Sequence, residues 1–148
     1  MTSSWEVVVV SSDFESRQNL TNILAKQGSD PIAVSTLREC REILAERPVG
    51  LVFCDSRVSD GTYQELLATY RAKDSKPRVV ITSHHNEWEE FKEAMRLGAF
   101  DVIGAPCRPT DVEWMVIQAK RDERSRTEDY PRAMMKVPEA TRAVAAKA

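Results

Sequence analysis

Five short runs dominated by Val and Ile, each followed by a stretch of helical length, limit the folds open to this chain more than any other feature. The runs are "EVVVVS" (6–11), "IAVS" (32–35), "GLVFCD" (50–55), "RVVITS" (78–83) and "DVIGAP" (101–106). Several are continuously apolar rather than alternating, the pattern of parallel strands covered on both faces. Parallel neighbours need crossovers, and right-handed crossovers put helices on both sides of the sheet. The expectation is a three-layer α/β sandwich of five β-α units, with a five-stranded parallel sheet and five helices.

The intervening segments support this. Residues 14–27 bring Phe14, Leu20, Ile23, Leu24 and Gln27 near one stripe. Residues 37–46 do so with Leu37, Cys40, Ile43 and Leu44, and residues 87–97 with Trp88, Phe91, Ala94, Met95 and Leu97. Ser12…Glu15, Thr36…Glu39, Thr62…Glu65, Asn86…Glu89 and Thr110…Glu113 each have the form of a capping box. Gly28 and Gly98 suit helix C-termini. The last helix, about 110–126, begins amphipathic and ends in "KRDERSR", which reads as a solvated face. Residues 1–126 are therefore read as one domain and 127–148 as a flexible tail or linker.

Bulk properties exclude several function classes. With 148 residues and 42% apolar content the chain can build one core. Its net charge of −2 is spread over interspersed residues, so no field draws in nucleic acid or an anionic membrane. No apolar run approaches the roughly 18 residues of a membrane helix, and "MTSSWEVVVV" lacks the basic start of a signal peptide. Cys40, Cys54 and Cys107 have neither pairing nor metal spacing, which favours a reducing, cytoplasmic setting.

The candidate site lies at the strand ends, where open α/β sheets bind ligands. They read Ser11-Ser12-Asp13, Asp55 in "LVFCDS", Thr82 in "VVITS" and Pro106 in "VIGAPCRP". Each has a plain structural reading as well. Asp55 could cap a loop, Ser12 could cap a helix, Asp13 could face a helix dipole, and Thr82 could be an ordinary β-branched strand residue. Cys54, pointing opposite to Asp55, is expected in the core. His84 and His85 lack companion metal ligands at useful spacing.

In order and spacing these residues resemble the receiver domain of bacterial two-component response regulators, over roughly residues 5–124. "RLGAFDVI" (96–103) and "DGTYQELL" (60–67) resemble further segments of that family. The resemblance implies a flavodoxin-like fold with strand order 2-1-3-4-5. It implies Asp55 as the phosphoacceptor position and Thr82 as the switch hydroxyl. It puts Ser11 and Ser12, with Asp13 adjacent, where the family has a Mg²⁺-binding acidic pair. It puts Ala105, before Pro106, where the family has a lysine, and Val102 where it has an aromatic switch residue. The loop "SRVSDG" after Asp55 is shorter than the family's and lacks its proline.

The equipment is thus incomplete, and an atypical pseudo-receiver is expected. Such a domain is not an enzyme and signals by protein contact with weak or no phosphorylation. No metal or other cofactor is expected; Mg²⁺, on Asp13 and Asp55, belongs to the alternative of a working site that switches through Thr82. Partners implied are a histidine kinase or other signalling protein. A second copy could pair through the face formed by helix 4, strand 5 and helix 5, near Trp88 and Trp114. A flavodoxin-like nucleotide or FMN binder ranks low because "SSDFES" has no glycine.

Overall fold

A computed structural model describes residues 5–70, 77–85 and 87–127. Its element order is β1 (Glu6–Val10), α1 (Phe14–Lys26), β2 (Ile32–Val34), α2 (Leu37–Glu46), β3 (Val49–Asp55), β4 (Arg57–Val58), β5 (Gly61–Thr62), α3 (Tyr63–Tyr70), β6 (Arg78–Ser83), α4 (Trp88–Arg96), β7 (Asp101–Gly104) and α5 (Pro109–Thr127). The main sheet is parallel with order β2-β1-β3-β6-β7. Counting its five strands in chain order, this is the expected 2-1-3-4-5. The short loop after Asp55 adds a feature not expected from sequence: β4 and β5 pair antiparallel, Arg57 with Thr62 and Val58 with Gly61.

Alternation along the strands divides two cores. Val7, Val9, Leu51, Phe53 and Val80 meet α1 and α5 through Leu20, Ile23, Leu24, Val112, Met115 and Ala119. Val8, Val10, Val52, Cys54 and Ile81 meet α2, α3 and α4 through Leu37, Cys40, Leu66, Leu67 and Ala94. Cys54 is core, as its alternation with Asp55 requires. Fully burying one such Val or Leu contributes roughly 1.5–3 kcal/mol.

Helix ends show where local patterns mislead. Thr36 caps α2 by accepting from Glu39 N. At α1 the cap is Asp13, whose carboxylate accepts from Ser16 N at 2.9 Å, and Ser12 is not the cap. An ionised acceptor serves the positive end of a helix better than a hydroxyl. Ser12 instead ties two loops, donating to Ser35 O and accepting from Ser59 N. Thr110 lies inside α5, which opens at Pro109 because a proline suits the first helical position. Asn86 lies outside the described residues. Asp60, unmarked in the sequence reading, accepts from Leu37 N and Arg38 N at the start of α2. Gly28 and Gly98, with φ of 91° and 105°, close α1 and α4 in the left-handed region.

Two further expectations are corrected. Phe14 is 65% exposed, Trp88 47% and Trp114 50%; each lies off its helix's buried stripe. Phe14 stacks under the Arg17 guanidinium, and Trp88 stacks on Phe91. The charged end of α5 is not merely solvated. Asp122 and Glu123 pair with Arg78, which is only 5% exposed at the start of β6. The tail, residues 128–148, lies outside the described residues. Among those described, no helix is long and apolar enough to cross a membrane.

Candidate functional site

The carboxyl ends of β1, β3, β6 and β7 converge on Asp55. Its backbone pairs with Thr82 in register, so the two side chains emerge side by side. Asp55 is 7% exposed. One carboxylate oxygen accepts from Ser11 Oγ at 2.6 Å, and the other accepts from Thr82 Oγ1. Both donors are neutral hydroxyls, themselves buried. The sheet thus gathers Ser11, Asp55 and Thr82, three of the residues singled out from sequence.

The others stand apart. Ser12 points to the loops at Ser35 and Ser59. Asp13 spends a carboxylate oxygen on its helix cap; that bond, foremost, holds its carboxyl below the usual range. Ala105 continues β7 by donating its N–H to Ser83 O at 2.8 Å, and the Ala105–Pro106 peptide is cis. A methyl group therefore stands where the resemblance implies an ammonium. Val102 is half-buried and packs on the core shared with α4.

Two spaces adjoin the carboxylate. Ser11, Asp55, Thr82, Ala105 and Cys107 help to line a crevice of about 10 Å³, room for about one water. Cys107 is a poor nucleophile there, since burial pushes its thiol up to about 12. On the other side lies an open groove of about 510 Å³, bordered by Asp55, Arg57, Tyr63, His84, His85 and Glu90. Glu87, Glu89 and Glu93 add to its rim, so the approach to Asp55 is acidic. His84 and His85 are exposed.

Sequence reasoning missed three contributors. Arg17 Nη1 donates to Ser11 O at 2.6 Å and steadies the strand end. Asn19 Nδ2 donates to Cys107 O across to the loop before α5. Ser83 Oγ donates to Glu90 Oε1 on the far side of the same strand end. Only the last had a readable signal, a polar residue directly after Thr82.

A parallel sheet of this order, with an aspartate and a threonine side by side at its carboxyl edge, defines a receiver. The family model for the response regulator receiver domain matches residues 7–116, and the chain belongs to that family, whose members act in two-component signalling. The chain is 23% identical over 129 residues to the response regulator protein PilR of Pseudomonas aeruginosa, covering 87% of this chain and 29% of PilR. It is 24% identical over 106 residues to the photosynthetic apparatus regulatory protein RegA of Rhodovulum sulfidophilum, covering 72% of this chain and 58% of RegA. It therefore spans less than two thirds of either relative. Among solved structures, the signal receiver domain of an HD domain-containing protein from Pseudomonas fluorescens Pf-5 superposes with a TM-score of 0.77. That likeness has 18% identity over 86% of this chain and 95% of the other. The beryllofluoride-activated NtrC4 receiver domain dimer gives 0.73 at 20% identity, over 79% and 97%. At these identities the structures speak for the fold.

Proposed function

We propose that this receiver signals chiefly through protein contacts, with weak or no Mg²⁺-dependent phosphorylation of Asp55. The observation that carries the reading is the double hydroxyl contact: Ser11 and Thr82 occupy both oxygens of a buried carboxylate. Mg²⁺ keeps several waters and needs carboxylates to hold it. The residues present do not fit it. Ser11 and Ser12 are neutral, Asp13 is committed to its helix, and Asp55 has no oxygen without a hydroxyl donor. At the lysine position Ala105 offers no ammonium, and a charge-assisted contact of that kind is worth about 1.5–3 kcal/mol. The acidic groove further opposes an incoming phosphate anion.

The roles follow residue by residue. Asp55 is the phosphoacceptor position, Thr82 the switch hydroxyl, Ser11 and Ser12 the altered acidic pair, and Ala105 the altered lysine. The domain is not an enzyme. Its partners are a histidine kinase or another signalling protein, in the cytoplasm, where the free Cys40, Cys54 and Cys107 would stay reduced. A second copy would pair through α4, β7 and α5, where Trp88 and Trp114 are half-exposed. Residues 127–148 would then serve as a linker or tail.

A second reading has one observation in its favour. Asp55 borders the open groove beside Thr82, so an aspartyl phosphate could form there and be read by that hydroxyl. Incubation with acetyl phosphate and Mg²⁺, followed by intact mass, separates the two. The proposal expects unmodified protein; stoichiometric addition at Asp55 would establish the second reading instead.

A further inference from the structure

The end of β6 carries two consecutive hydroxyls that face opposite sides of the sheet. Thr82 turns to Asp55, and Ser83 turns to α4, where its hydroxyl donates to Glu90. Ser83 is 1% exposed, and its oxygen also accepts from His85 N at 3.2 Å. One buried hydroxyl thus holds both the loop after β6 and the first turns of α4.

That tie falls at the start of α4. Its N-cap residue, Glu87, makes no side-chain capping bond, so the helix start would fray if nothing else restrained it. The strand end that supplies the restraint is itself pinned. Ser56 N donates to Thr82 O at 3.0 Å, and Ala105 N donates to Ser83 O at 2.8 Å. The part of α4 so held carries Trp88 and Phe91, stacked with ring centroids 5.3 Å apart.

We infer that the Ser83–Glu90 contact is a latch: it holds α4 in one position and so presets the Trp88–Phe91 surface, whatever the state of Asp55. The two consecutive side chains divide the labour. Thr82 serves the carboxylate, and Ser83 fixes the helix through a separate acceptor on the other face. Signalling through α4 then depends on access to a fixed surface rather than on a moving one.

Hydrogen exchange read by mass spectrometry on peptides covering 86–97 tests this in the full chain. Ser83→Ala and Glu90→Ala should each raise exchange of the first turns of α4 by about tenfold, while peptides from β1 and β3 stay at wild-type rates. The double variant should match either single one, as partners in one contact do. Asp55→Asn, which alters the carboxylate and leaves Ser83 in place, should leave α4 unchanged. Wild-type exchange in both single variants, additive effects in the double variant, or α4 loosened by Asp55→Asn would each overturn the latch. The Asp55→Asn arm uses no phosphoryl donor, so its result is independent of whether Asp55 can be phosphorylated.

Discussion

The two ends of strand β6 handle a buried charge in opposite ways. At its start Arg78 is met by two carboxylates, Asp122 at 2.6 Å and Glu123 at 3.0 Å. At its far end Asp55, paired in register with Thr82, is met among the described residues by the hydroxyls of Ser11 and Thr82. A buried cation with two counter-ions is held by partners it cannot lose cheaply. A buried anion served by neutral donors keeps its hydrogen bonds but has no opposite charge beside it. The first arrangement fixes the fold. The second leaves the carboxylate on neutral donors, and the proposed loss of phosphorylation rests on it.

The largest effect should come from breaking the first arrangement. Asp122→Ala with Glu123→Ala strands the Arg78 guanidinium, and urea unfolding should show a loss of about 3 kcal/mol, the lower end for such pairs because both acids reach solvent. At the other end, Ser11→Ala or Thr82→Val removes one donor from a buried carboxylate and should cost about 2 kcal/mol. Asp55→Asn removes the charge itself, and its stability should stay within about 1 kcal/mol of wild type by the same measurement. A large loss there would show that Asp55 is held as firmly as Arg78 and would dissolve the contrast.

Smaller effects sharpen it. Asp60→Ala leaves the Thr36 cap in place but takes the acceptor of Leu37 N and Arg38 N from the start of α2, and should cost about 1 kcal/mol. The N–H of Leu37 foremost, then that of Arg38, holds the Asp60 carboxyl below its ordinary 3.8. Its folded value is lowered, so its contribution is complete above that ordinary value and is lost as pH falls through the folded one. Asp60→Asn should therefore flatten the acid limb of a stability–pH curve. Least of all, Cys40, fully buried and pushed up to about 12 by that burial, should react with iodoacetamide at pH 8 only as fast as the domain opens.

How much of this was legible in the sequence depends on range. The Val and Ile runs, Gly28 and Gly98 act locally, and all five strands and helices fell close to where they were read. Asp55, Thr82 and Ser11 meet because consecutive parallel strands bring their ends together, which order and spacing convey. Asp60 at α2 and Arg78 at α5 join residues far apart in the chain, and no local pattern marks them. Ser12 reads as the cap of α1 and Asp13 as a charge facing its dipole, and the geometry of the strand exit gives the cap to Asp13 instead. Phe14 and Trp88 were placed near apolar stripes, yet they are largely exposed, because helix periodicity fixes relative angles and not which stripe is buried.

Among the described residues Asp55 lacks charged help, and one titration tests this most directly. Beryllofluoride and Mg²⁺ are added to the wild-type chain and to a variant carrying Ser11→Asp, Ser12→Asp and Ala105→Lys, with amide chemical shifts followed around Asp55 and Thr82. No saturable shift is expected in the wild type, and saturable binding is expected once the carboxylates and ammonium are supplied. Stoichiometric, Mg²⁺-dependent binding by the wild-type chain would contradict it.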